Sequence, residues 1–392
     1  MRGALLSLFI TACLGSAAHA QRVSAQTRVD TVEPDSTFPR AGVVLRWQVI
    51  SRELIERRLA TRAERPQVTF YDGNNNSRLY ALVAGAQFDA LRSATQPDNS
   101  DAAAASSAAA VLRVIFPGER AQIDRELATE RARLQAGGVA AAAVRSGEKL
   151  GRRAATRWST DASAELRAPP WTGRVPSGPA MWRGQGSAPA LAISLNLQPW
   201  FLARRDQFRP PPPPAPGSAE LAVGLAAVRG ATAHRTRPQT RATWAWARNA
   251  ATLWSEIAGG VIVRRGLSEL EAARALMYLN MALSDATIAC WDAKLTYWSP
   301  RPSQLDEKID LSIPVPDFPS YPSAHAALFA TGAAVLGHLV PAEQAMLDSL
   351  AREATDSRVW AGAHFPFDND AGTLLGRHVA DAAIAVLEAE PR

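Results

Sequence analysis

Three short segments collect residues whose types can do chemistry together. They are Lys294-x6-Arg301-Pro302, then Pro322-Ser323-Ala324-His325, then Ser357-Arg358-x5-His364-x3-Asp368. Each is weak alone, but the set, in this order and spacing, is hard to obtain by chance. A tetrahedral oxyanion needs fixed donors on several sides. Arginine offers a rigid multi-donor fork and lysine a point charge, so Lys294, Arg301 and Arg358 would supply three positive groups. Ser323 stands where a helix should begin, so its hydroxyl and nearby backbone N–H groups can face an anion at a positive helix end. Of the two histidines, one can serve as nucleophile or ligand and the other as general acid or base. Asp368 can orient His364 through the far ring nitrogen, or serve only as a helix N-cap.

Taken singly, these residues have plainer readings. A lone arginine such as Arg301 is ordinarily a solvated surface group, and a lone histidine on a helix face is satisfied or exposed. That reading is applied to His234, His338 and His378, outside the three segments. Ser357 can simply cap a turn.

The elements that must position this set read as helices, giving an all-α helical bundle with the oxyanion site inside its C-terminal part. Helices are predicted over 43–58, 77–91, 102–116, 119–133 and 139–158. Residues 159–217 are rich in Pro, Gly and Trp and end in Pro210 to Pro214, which excludes helix interior. Trp171, Trp182 and Trp200 argue for a long ordered loop rather than a linker. Helices resume at Ala219, with one from Thr243 to Ile257. Ser268-x-x-Glu271 is a capping box opening a helix that ends near Trp298, before Pro300 and Pro302. It carries Leu270, Ala273, Met277, Met281, Ser284 and Ile288 on one face. Three more run over 323–339, 341–356 and 368–388, the last with Ala371, Leu375, Val379, Ala382 and Val386 at helical spacing. The organisation is therefore a signal peptide over 1–20, a helical region over 40–158, the loop over 159–217 and a bundle over 218–392. The two helical parts are expected to pack as one unit.

The chain has 392 residues, 47% of them hydrophobic, enough for a sizeable core. Arg2, the apolar run from Ala4 to Leu14 and Ala18-His19-Ala20 read as an export signal cleaved before Gln21, implying a periplasmic or secreted protein. A lipobox at Ile10-Thr11-Ala12-Cys13, with lipid on Cys13, is the alternative. Cys290 then has no disulfide partner and reads as a small buried hydrophobe. The formal charge of +6 falls to +5 without Arg2. The arginines are scattered and no nucleic-acid motif is present, so the charge suits a small anionic substrate rather than a nucleic acid. No segment after the signal has eighteen uninterrupted apolar residues, so no membrane span is expected. Nothing fixes the oligomeric state.

The three segments resemble the signature of the type 2 phosphatidic acid phosphatase and vanadium haloperoxidase superfamily, with Ala324 where the family usually has glycine. Phe318 to His325, Ser357 to Phe365 and Asp368 to Gly372 resemble its bacterial haloperoxidase-like branch, as do Gln207 to Pro211 and Asp285 to Lys294. The resemblance implies that Lys294, Arg301 and Arg358 hold the oxyanion, helped by Ser323 and the Ala324 N–H. It implies that His364 bonds the central atom and that His325 is the acid–base residue. With vanadate as cofactor on His364, hydrogen peroxide would oxidise a halide. With no cofactor, His364 would attack a phosphate ester. A third reading is an oxyanion-binding protein without turnover, its cause being Ala324: an added methyl is costly wherever positive φ or close ligand approach is needed.

Overall fold

The computed structural model describes residues 42–60, 75–184 and 188–389; the signal and lipobox readings fall outside them. All regular elements among the described residues are helices, as expected. The N-terminal part holds α1 (Val43–Ala60), α2 (Asn76–Ser93), α3 (Pro97–Ile115), α4 (Arg120–Ala136), α5 (Ala141–Ala154) and α6 (Thr156–Glu165). After the loop come α7 (Ala219–Ala233), α8 (Arg237–Ala245), α9 (Ala250–Arg265), α10 (Glu269–Tyr297) and the single turn α11 (Pro302–Leu305). The C-terminal helices are α12 (Ala324–Leu339), α13 (Gln344–Trp360) and α14 (Pro366–Ala389).

Helix α10 is the axis of the fold. Its capping box forms as the sequence requires, with Glu271 N–H on Ser268 Oγ and Ser268 N–H on Glu271 Oε2. The expected single apolar face understates it, because nearly every residue from Ala272 to Lys294 is buried, while Leu270 is exposed. A helix covered on all sides must satisfy its polar groups inside. Asp285 does so by accepting the N–H groups of Trp200 (2.9 Å) and Phe201 (2.6 Å), which fastens the long loop to the axis. Trp182 also packs, its ring against Trp298 and its N–H on the Trp298 carbonyl. The Arg78 guanidinium lies over the Trp200 ring at 3.5 Å. Two tyrosines pin the proline run, Tyr297 to the Pro210 carbonyl and Tyr321 to that of Pro211.

Two expected helices are each broken in two. The stretch 139–158 divides at Ala155 and its second half continues to Glu165, into the stretch read as loop. The two halves have different partners. A Cβ on Gly151 of α5 would lie 2.1 Å from the Ala103 carbonyl oxygen of α3, whereas Trp158 of α6 packs on Gly85 of α2. One straight helix cannot serve both. The stretch 243–257 divides between Ala245 and Ala250, where Asn249 caps α9 by accepting the Thr252 N–H. Helix α8 itself was not foreseen; Thr236 and Gln239 form a capping box around Pro238.

Close approach of α12 and α14 forms the floor of the C-terminal bundle. The buried side of α14 is Gly372, Leu375, Gly376, Val379, Ala383 and Leu387, one residue out of step with the expected stripe at both ends. A Cβ on Gly372 would stand 2.3 Å from the Ser323 carbonyl oxygen, and one on Gly376 2.2 Å from that of Ala327. Since backbone cannot yield as a side chain can, Gly372→Ala is expected to destabilise the fold by about 2 kcal/mol, read from the thermal or urea midpoint. A neutral result would mean that the two helices are free to part.

Candidate active site

Each chemistry-bearing segment sits at a helix end. Lys294 lies in the last turn of α10, which stops at Trp298 in the left-handed region (φ 52°) with its N–H on the Lys294 carbonyl. The chain then turns sharply through Ser299 and Pro300 to Arg301, which precedes α11. Ser323 is the N-cap of α12, its Oγ accepting the Ala326 N–H (3.3 Å) and its own N–H meeting the Asp368 carbonyl (2.9 Å). Arg358 lies in the last turn of α13, which closes in a Schellman turn. Gly362 (φ 75°) bonds back to the Val359 carbonyl, and Ala363 to that of Arg358. That turn brings His364 back beside Arg301. Asp368 is the third residue of α14 rather than its N-cap.

These residues meet. Arg301 Nη1 lies 2.9 Å from His364 Nε2, and His364 Nδ1 lies 3.0 Å from Asp368 Oδ2. A guanidinium only donates, so Nε2 carries the lone pair and Nδ1 the proton. Asp368 therefore orients His364, and the same Oδ2 also accepts the Phe365 N–H (3.2 Å). Arg301 further donates to the carbonyls of Phe318 (3.1 Å) and Ala363 (2.9 Å). Arg358 donates to Ser357 Oγ (2.8 Å) and the Thr243 carbonyl (3.1 Å). Ser357 thus holds an arginine instead of capping a turn.

Two residues stand differently from the simple picture of donors aimed at an anion. All three protons of the Lys294 ammonium go to carbonyls, those of Pro319 (2.7 Å), Ser320 (2.8 Å) and Pro322 (2.6 Å). Its charge enters the site, but its N–H groups hold the 319–322 loop. His325 is half-buried, stacks against Phe329 and turns Nε2 to the Trp246 carbonyl at 3.0 Å. A carbonyl only accepts, so Nε2 is protonated there. The break between α8 and α9 is what frees that carbonyl. Ala324 lies in the first helical turn and is absent from the residues with positive φ, so its methyl carries no backbone strain.

The electrostatics point one way. Lys294, Arg301 and Arg358 are all at most 3% exposed, and among the described residues the one buried carboxylate beside them is Asp368. Burial lowers the pKa of Lys294 to about 7 and of Arg301 and Arg358 to about 10. Burial and Arg358 push His325 down to about 3, and burial with Arg301 holds His364 well below the usual range. Burial raises Asp368 to about 6. Such a net positive interior is complementary to an anion. Donors are also left over: Arg301 Nη2 is buried without an acceptor among the described residues. The donor set fits an oxyanion such as phosphate or vanadate, with several N–H groups for its oxygens and the Nε2 lone pair for its central atom. It does not resemble a cation site, as no cluster of three His, Cys, Asp or Glu suited to a metal ion occurs among the described residues.

Sequence reasoning missed Phe318, Ser320, Thr243 and Trp246. Phe318 lies under both cations, 5.0 Å from the Arg301 guanidinium and 5.2 Å from the Lys294 ammonium. Thr243 and Trp246 act through backbone carbonyls, which no side-chain pattern reveals. His234 and His338 are exposed and the His378 ring lies against that of Phe208 at a tilt, consistent with their plain reading.

Residues 274–391 match the family model described as the PAP2 superfamily. No curated protein matches the sequence. Solved structures do. One is a bacterial vanadium-dependent iodoperoxidase, at 17% identity and TM-score 0.69, covering 87% of this chain and 95% of that one. Another is a bacterial vanadium-dependent chloroperoxidase. Its apo form matches at 15% identity and TM-score 0.67 over 82% and 95% of the two chains. Its holo form gives 15% and 0.65 over 82% and 93%. At such identities the likeness is one of fold. No described helix is long and apolar enough to cross a membrane.

A bound anion offsets the burial and like-charge repulsion that lower the pKa values of Lys294 and His325, so it raises both and binding takes up protons. Affinity for sulfate, a dianion throughout this range, is expected to fall as pH rises through about 7, by up to ~10-fold per pH unit for each proton taken up. Calorimetry in buffers of different ionisation enthalpy checks both sign and proton count. Affinity rising with pH would contradict the assignment.

Proposed function

We propose that this chain, whose residues 274–391 match the PAP2 superfamily model, is an exported haloperoxidase-like enzyme that oxidises halide with hydrogen peroxide at a His364-held vanadate. The observation that carries the reading is the unprotonated Nε2 of His364, turned from a carboxylate-held ring onto the Arg301 guanidinium among buried cations. Support for the haloperoxidase branch is the fold likeness, which spans the N-terminal helices as well as the bundle.

The residues have separate tasks. Arg301, Arg358 and the first-turn N–H groups of Ala324 and His325 would hold the oxygens of the anion. Lys294 contributes charge and keeps the 319–322 loop in place. His364 offers Nε2 to the central atom, and Asp368 keeps the proton on Nδ1. Bound vanadate supplies the centre at which peroxide becomes an oxidant of halide. His325 starts neutral and takes a proton at Nδ1, because Nε2–H is committed to Trp246. The nearby anion raises its pKa toward a value useful for proton transfer. Lys294, Arg301, Arg358, His364 and Asp368 are all buried, which strengthens the charge–dipole contacts among them.

A soluble acid phosphatase is the second reading, because phosphate has the same shape and charge and Nε2 is equally placed to attack phosphorus. The oxyanion-binding protein without turnover loses its backbone argument, since Ala324 is unstrained.

One preparation separates these. Half is loaded with orthovanadate and given peroxide with iodide, bromide or chloride and a halogenation trap; half is given a chromogenic phosphate monoester. Halogenation is expected in the first, falling at least ~10³-fold in His364→Ala, in line with losing an essential nucleophile or ligand. Ester hydrolysis without halogenation would sink the haloperoxidase reading in favour of the phosphatase.

A further inference from the structure

Ser320 lies between the segments that carry the chemistry, and every polar group it has is engaged in the site. Its N–H donates to the Ser299 carbonyl (2.9 Å). Its carbonyl accepts the Lys294 ammonium (2.8 Å). Its hydroxyl donates to Asp368 Oδ2 at 2.5 Å and stands 3.4 Å from His364 Nδ1. Both Ser320 and Asp368 are fully buried.

The direction of that hydroxyl bond is forced. Nδ1 of His364 already carries the proton that Arg301 keeps off Nε2, so it cannot accept. The carboxylate is the acceptor within reach. Oδ2 thus takes three donors, Ser320 O–H, His364 Nδ1–H and Phe365 N–H, while Oδ1 has no partner among the described residues. So uneven a loading sets the plane of the carboxylate. Remove the hydroxyl, and the shortest of the three contacts on Oδ2 is gone, leaving only the ring and the Phe365 N–H, at 3.0 and 3.2 Å, to hold the carboxylate.

We propose that Ser320 is a positioning residue for His364, its hydroxyl locking the Asp368 carboxylate so that the Nε2 lone pair faces the bound oxyanion. Its carbonyl ties the same lock to Lys294, so cation and imidazole are set by one residue. This rests on the reading above that an oxyanion is bonded at Nε2.

The test compares two tetrahedral anions. Sulfate engages cations and N–H groups, but its sulfur takes no fifth ligand; orthovanadate takes one. Equilibrium binding of each is measured for wild type, Ser320→Ala and Ser320→Thr. Wild type is expected to prefer orthovanadate. Ser320→Ala should lose about 10- to 100-fold in orthovanadate affinity, the usual cost of removing a support behind a ligand, and less than about threefold for sulfate on the same basis. Ser320→Thr keeps the hydroxyl and should keep the wild-type ratio. Equal losses for both anions, or undiminished orthovanadate binding in Ser320→Ala, overturn the proposal. A wild type without preference for orthovanadate removes the Nε2 reading itself, and the proposal with it. Nitrogen-15 shifts of His364 in the wild type, independent of any variant's folding, should show Nδ1 protonated and Nε2 bare; the reverse tautomer overturns the lock.

Discussion

Taking a charge out of water costs several kcal/mol unless a partner replaces the lost hydration. Here three cations are buried beside one carboxylate, and the surrounding structure is organised around making that bearable. Carbonyl oxygens do most of it. Lys294 is wrapped by three from the 319–322 loop, Arg301 by those of Phe318 and Ala363, and Arg358 by that of Thr243. Carbonyls are free in loops and where helices end, and the site sits where α8, α10, α12, α13 and α14 begin or stop, beside the 318–322 loop.

Small residues allow those ends to converge. Gly372 and Gly376 bring α14 onto the backbone of α12, so that Ser323 N–H reaches the Asp368 carbonyl. Gly362 supplies the left-handed step that returns the chain from Arg358 to His364, and a Cβ there would also press on Ile309. The long loop has no chemistry of its own, yet it is bonded to α10 by Asp285 and to the site loop by Tyr321. It clamps the axis from which Lys294 projects.

Much of this was legible in the residues. Helices, the capping box at Ser268 and the stop before Pro300 follow from local rules that tertiary packing did not oppose. The grouping of Lys294, Arg301, Ser323, His325, Arg358, His364 and Asp368 came from spacing. What was hidden has a common cause. The breaks at Ala155 and between Ala245 and Ala250 answer to contacts far away in sequence, and the breadth of burial around α10 depends on how many helices surround it. Ser320, Thr243 and Trp246 matter through where a hydroxyl or carbonyl points. The commitment of the Lys294 protons to carbonyls is likewise invisible until the loop is folded over it.

The contact between Arg301 and His364 has a kinetic meaning. A lone pair covered by a guanidinium is a stoppered nucleophile: while that contact holds, the imidazole is closed to electrophiles and to transition-metal ions. Under the proposed function, capture of an anion would be an exchange, in which one guanidinium nitrogen leaves the ring as the incoming oxygens take hold of it. Arg301 is also tethered to the carbonyls of Phe318 and Ala363, so on departure of the anion it would stand within reach of the ring and could reseal it.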